Sequence, residues 1–220
     1  MTTNILHKGD LPNQLDLGPI VAIDCETMGL NFHRDRLCLV QLSSGDGIAH
    51  MVQIASGQHS APNLCKLLSD EKVLKIFHFG RFDIAALLKT FGVLTSPVYC
   101  TKIASKLVRT YTDRHGLKNL LQELLGIDIS KQQQSSDWGA VTLTDAQLEY
   151  AASDVLYLHS LKDELDLRLL REGRMDLAKS SFDFLPTRAK ARLDRLARDR
   201  YFCTLGWIST WLLMIRYIFV

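Results

Sequence analysis

Residues 20–23, Ile-Val-Ala-Ile, form a continuous apolar run that ends on Asp24. An unbroken apolar strand is buried on both faces, so this run predicts a central strand. Two further β-rich runs, residues 37–43 and 48–54, flank Ser44-Gly45-Asp46-Gly47 and predict a hairpin. Residues 63–70 predict a short helix, 73–79 another strand, and 82–91 a helix that Gly92 ends. Residues 97–100 predict a short strand before a helix over 102–110, and a helix over 117–125 closes at Gly126. Residues 130–139 are polar and lack a period, which predicts a loop. The strongest helix signal follows. Thr144-Asp145-Ala146-Gln147 is a capping box, and Leu148, Ala151, Ala152, Val155 and Leu158 recur at helical spacing. That pattern runs to Glu172, and Gly173 stops it. A strand meander followed by strands alternating with helices predicts an α/β fold built on a mixed sheet.

Composition narrows the class. The 220 residues suit one domain, or one domain plus an appendage. An apolar share of 47% and a charged share of 23% exclude collagen-like, disordered and disulfide-scaffold chains. The net charge of +2 neither marks nor excludes a nucleic-acid binder, because binding follows local patches. The five cysteines, at 25, 38, 65, 100 and 203, are odd in number and contain no C-x-x-C pair. Neither a disulfide framework nor a zinc ribbon is suggested, and a reducing cytoplasm is the expected location. Residues 1–12 carry no apolar core or cleavage-like site, so no secretory signal is expected.

The C-terminal stretch changes character. Residues 188–200 hold six basic and two acidic side chains, a local net charge of +4. Residues 201–220 then contain fifteen apolar residues and one charge, Arg216. A run of about 20 apolar residues can span a bilayer. Thr204, Ser209, Thr210 and Arg216 interrupt this one, so a packed or aberrant tail ranks ahead of a membrane anchor. The expected division is a folded domain over 1–190 and a basic, then apolar, tail over 191–220.

The candidate chemistry lies in carboxylates. Asp24 and Glu26 stand two apart at the end of the central strand, so both point to one face. Asp83 falls in the first turn of the helix after the next buried strand. Tyr150 and Asp154 are four apart on the capped helix and share its face. Taken singly, each has a bland reading: a solvated strand end, a charge complementing a helix N-terminus, an exposed helix face. Together, Asp24, Glu26, Asp83 and Asp154 could meet at one sheet edge, where their mutual repulsion would call for divalent cations. Hard oxygen donors suit Mg²⁺ or Mn²⁺, and two such ions about 3.5–4 Å apart form a clamp for phosphoryl displacement. Tyr150 would then orient the attacking water.

These residues resemble a known set of motifs. Asp24-Cys25-Glu26-Thr27-Met28-Gly29-Leu30 resembles the first motif of the DEDD 3′–5′ exonucleases. The run from His78 through Phe79, Gly80, Arg81, Phe82 and Asp83 to Leu87 resembles the second. Tyr150-Ala151-Ala152-Ser153-Asp154 resembles the third, in its Tyr-containing variant. The nearest family is ribonuclease D, in a short form, over about residues 5–190.

The resemblance implies a ribonuclease H-like fold with a five-stranded mixed sheet flanked by helices. It implies that Asp24 bridges two metal ions, Mg²⁺ or Mn²⁺. Glu26 and Asp154 would help hold the water-activating ion, Asp83 would support the second, and Tyr150 would position the nucleophile. The implied activity removes 5′-monophosphates one at a time from RNA 3′ ends, as in transfer RNA 3′ processing. Thr27, Met28 and Leu30 would touch the terminal nucleotide, and His78 and Phe82 the penultimate one. Core packing is the alternative for Met28 and Leu30, and a buried helix anchor for Phe82. The cations around Arg109, Arg114 and Lys118 resemble the start of a channel-lining helix, with a solvated helix start as the alternative. Trp138 either stacks on a base or packs beneath its own loop. Single-stranded DNA is the alternative substrate, and an inactive nucleic-acid-binding module the rival of another class. No protein partner is implied, and a monomer is expected.

Overall fold

The structure, a computed structural model, describes residues 3–193 except 33 and 131. The end of the basic run and the apolar tail over 201–220 lie outside the described residues. Among the described residues, no helix is long and apolar enough to cross a membrane.

The sheet assembles around β2 (Ile20–Thr27). Val21, Ala22 and Ile23 are fully buried, as a strand covered on both faces requires. It pairs antiparallel with β3 (Leu37–Ser43), which turns back through the Gly45 and Gly47 region into β4 (Ile48–Gln53). On the other side β2 pairs in parallel with β5 (Leu74–Phe77), and β5 with β6 (Val98–Cys100). The ribonuclease H-like expectation names five strands; the sheet has six, ordered β1-β4-β3-β2-β5-β6. The edge strand β1 (Thr3–Lys8) pairs in parallel with β4. No apolar run marks it, because an edge strand buries little and its Thr, Asn, His and Lys remain partly exposed.

The helices are α1 (Pro62–Ser69), α2 (Arg81–Phe91), α3 (Thr101–Val108) and α4 (Leu117–Leu125), then α5 (Asp145–Leu156), α6 (Leu158–Arg171) and α7 (Met175–Leu193). Gly92 and Gly126 close α2 and α4 in left-handed conformations, as their positions after apolar helices predict. The single helix expected up to Glu172 is two. Tyr157 (φ −106°, ψ 1°) breaks it, so α5 packs on β1 to β4 while α6 packs on α3, α4 and α7. The apolar period passes through the break without interruption, which is why spacing alone conceals it. The helix α7 is a further element the pattern does not mark; it carries Pro186 internally and packs on α2.

Two apolar clusters form on the sheet. The larger joins Val40, Leu42, Val52 and Cys25 to α2, α3, α6 and α7. The smaller joins Leu39 and Met51 to Trp138, Leu143 and Ala151, beneath α5. The alternation of strand side chains separates the two. Cross-strand register places Asp24 beside Gln41 and Glu26 beside Leu39, so both acids look toward the α5 side.

The start of α5 is fixed by the predicted capping box. The Gln147 N–H donates to Thr144 Oγ1 at 3.3 Å, and the Thr144 N–H donates to Gln147 Oε1 at 2.9 Å. Gln147 Nε2 also donates to the Asp137 carbonyl at 3.1 Å, tying the preceding loop to the helix. Thr144→Ala should destabilise the metal-free protein by about 1 kcal/mol, measured as a lower urea midpoint with an unchanged slope.

Candidate active site

Three elements deliver the acidic residues. Asp24 and Glu26 leave the C-terminal end of β2 on one face, and Asp154 comes down from α5. One carboxylate oxygen of each lies within 4.8 Å of the others. Asp83 is buried in the first turn of α2, beside this trio and outside it. The pairing of β2 with β5 covers only Ile20–Ala22, which leaves the Cys25 N–H free of the ladder. The Asp83 carboxylate accepts a hydrogen bond from that N–H, and so does Asp24. The short β5 thus creates the donor that seats Asp83.

Gly80 makes the turn into α2 possible. A Cβ there would lie 2.5 Å from Phe77 Cβ, so only glycine lets the helix start this close to the strand. The first helical turn is thereby held against the end of the sheet.

Enclosure and crowding raise the titrations of Asp24, Glu26, Asp83 and Tyr150. Enclosure and the charges of Asp83, Asp154 and Glu26 hold the Asp24 carboxyl well above the usual range. Enclosure, then Asp154 and Asp83, push Glu26 up to about 9. Burial dominates at Asp83, which rises to about 7 against the two backbone hydrogen bonds that favour its charged form. Enclosure and the nearby carboxylates likewise raise the Tyr150 phenol, which hydrogen-bonds Asp154 and stays protonated at neutral pH.

The donor set fits a hard divalent cation. All the converging ligands are carboxylate oxygens, and their mutual repulsion is what such a cation relieves. Gln41, the cross-strand neighbour of Asp24, is fully buried and neither of its amide atoms finds a partner among the described residues. It adds an unsatisfied polar group beside the cluster. Motif reading missed this residue. The available signal was one amide inside an otherwise apolar strand.

The remaining predicted residues divide. Thr27 Oγ1 donates to the Gly29 carbonyl at 2.6 Å and shapes the loop after β2. Met28 and Leu30 are 58% and 77% exposed, which removes their core-packing alternative. His78 Nδ1 lies 2.9 Å from Thr101 Oγ1. Phe82 stacks on Phe32 at 4.8 Å and is only partly buried. Trp138 is buried and tilts against the Tyr150 ring at 6.0 Å, so it packs beneath its loop. Arg109 is fully buried and committed to Glu123, Ser105 Oγ and the Arg114 carbonyl, while Lys118 pairs with Asp128. The Arg109 guanidinium therefore braces α3 against α4.

A 3′–5′ exonuclease domain family matches residues 8–170. The chain belongs to this family. It is similar to ribonuclease D of Gluconacetobacter diazotrophicus, at 38% identity over 176 residues, covering 80% of this chain and 44% of that protein. The chain thus spans under half the length of this curated relative. The structure of Brucella melitensis NrnC is similar at 61% identity, with a TM-score of 0.87 over 89% of this chain and 95% of that one. The same Brucella protein with bound Mg²⁺ matches at 57% identity and a TM-score of 0.87, over 91% and 98% of the two chains. Its form bound to pGG matches at 58% and 0.88, over 92% and 98%.

The raised carboxyl titrations set a pH dependence. Without metal, the folded protein keeps protons that the unfolded chain releases near pH 4, so stability falls as pH rises from about 4 to about 9. In EDTA the thermal midpoint should drop across that window. At about pH 8, Mg²⁺ or Mn²⁺ at a hundredfold excess over its dissociation constant should restore about 2.7 kcal/mol. Asp24→Asn should raise the metal-free midpoint at that pH and lose most of the cation-dependent gain. A midpoint that is flat with pH and indifferent to cations would contradict this electrostatic account.

Proposed function

We propose that this chain is a divalent-metal-dependent 3′–5′ exoribonuclease that releases nucleoside 5′-monophosphates from RNA 3′ ends. The observation that carries the reading is the convergence of Asp24, Glu26 and Asp154 beside Asp83 and Tyr150. The Brucella relatives solved with Mg²⁺ and with pGG support it. Residues 1–190 would form the catalytic unit.

Asp24, Glu26, Asp83 and Asp154 would hold two ions, Mg²⁺ or Mn²⁺, with Asp24 shared between them. Bound there, the cations supply the charge that lowers the pKa of water and offsets the charge developing on the phosphate. The protonated Tyr150 hydroxyl orients the attacking water from the α5 side. The exposed Met28 and Leu30 on the loop after β2 present apolar surface to the terminal nucleotide. Thr27 fixes that loop through Gly29. His78, just before α2, and Phe82, in its first turn, face the next nucleotide.

A 5′-labelled RNA incubated with Mn²⁺ should give a one-nucleotide ladder that EDTA abolishes. Asp24→Asn should lower the rate by about 10³-fold or more, and Tyr150→Phe by about 10²-fold. RNA binding should persist in both variants. Faster degradation of single-stranded DNA of equal sequence would reassign the substrate, and a wild-type protein with no metal-dependent cleavage would overturn the reading.

A further inference from the structure

Phe79 is the one non-glycine residue with positive φ (65°) among the described residues. Bulky side chains rarely adopt this conformation, and it persists only where the surroundings over-determine it. Here they do. The Phe79 and Gly80 N–H groups point at the Cys100 sulfur, and Thr101 Oγ1 donates to the Phe77 carbonyl at 3.2 Å while meeting His78 at 2.9 Å. The result is an aromatic ring turned outward, 39% exposed.

Cations surround it. Lys102 Nζ lies 4.0 Å from the Phe79 ring centre, and Arg81 Cζ lies 5.4 Å away. Arg192 from α7 lies over Phe32 and Phe82 at 5.0 and 5.6 Å, close enough to Arg81 to feel its charge. Among the described residues, no ion pair includes Arg81 or Arg192, and Arg81 Nε is buried without a hydrogen-bond partner. A strip of like charges interleaved with aromatic rings matches a polyanion that carries flat bases.

Its place in the sheet gives it a register. The strands β2, β5 and β6 are parallel neighbours, and their C-terminal ends lead to Asp24 and Glu26, to Phe79 and Arg81, and to Lys102. Strands sit about 4.8 Å apart. The segment after β5 therefore starts one strand from β2, which carries Asp24 and Glu26, and the start of α3 two strands away.

We propose that Phe79, Arg81 and Lys102 form a seat for the nucleotide upstream of the scissile phosphodiester, its base on the Phe79 ring and its backbone phosphate against the two cations. The inference rests on the nuclease reading above and adds residues to it. The strained backbone keeps the ring out of the core and facing the substrate strand.

The test is binding of a 5′-fluorescein single-stranded RNA pentamer, read by anisotropy with Ca²⁺ as the cation. Asn tolerates the left-handed region, so Phe79→Asn should keep the wild-type thermal midpoint or raise it. Its dissociation constant should rise about tenfold, and Phe79→Tyr should restore it. Arg81→Gln and Lys102→Gln should each flatten the plot of log affinity against log salt by about 0.7. A folded Phe79→Asn that binds as wild type does, or salt slopes unchanged in both cation variants, would overturn the seat. If the wild-type protein neither binds the pentamer nor degrades it with Mn²⁺, the nuclease reading itself fails and the seat falls with it. If it does both while Phe79→Asn binds equally well, only the seat is lost.

Discussion

Negative charge held at close quarters is the constraint on which this molecule turns. Asp24, Glu26 and Asp154 are brought within 4.8 Å of one another, with Asp83 buried alongside. Left to itself, such a cluster would splay apart or take up protons, and the upward shifts at Asp24, Glu26 and Asp83 express that tendency. The fold has to be stiff enough to oppose it until a cation removes the opposition. Stability is thereby given up locally so that charge can be concentrated where a phosphodiester would be attacked.

The stiffness comes from how the elements end. The strand β2 is anchored on both sides by β3 and β5, and its last residues project past the shorter β5. That mismatch frees the Cys25 N–H, and Asp83 accepts from it. Gly80 lets α2 begin against Phe77, so Asp83 arrives in the first turn. On the opposite face, α5 is fixed by its capping box and by the loop before it. Arg36 reaches the Gly139 carbonyl at 3.2 Å, Gln53 the Ala140 carbonyl at 3.0 Å and Gln147 the Asp137 carbonyl. Trp138 fills the space beneath Tyr150. The segment over 137–140 therefore works as a brace for the helix that carries Tyr150 and Asp154.

Around this rigid centre the surface is graded. The exposed Met28 and Leu30 lie on the loop after β2. Phe79 with Arg81 and Lys102 follows the C-terminal ends of β5 and β6. The buried Arg109, by contrast, has its donors taken up by Glu123, Ser105 and Arg114.

The linear sequence determined the features that depend on near neighbours. The apolar run into Asp24, the capping box at Thr144, the glycines that close α2 and α4, and the same-face spacings of Asp24 with Glu26 and Tyr150 with Asp154 all follow from local periodicity and sterics. The edge strand β1, the break at Tyr157 and the helix α7 were not legible. An edge strand needs no apolar run, a bend can preserve the period, and α7 buries its face only against partners distant in the chain. The meeting of the carboxylates, the seat that the short β5 makes for Asp83, the unpartnered amide of Gln41 and the outward turn of Phe79 were decided by tertiary packing alone. Each depends on contacts between segments far apart in the chain, and no spacing along it encodes such a contact.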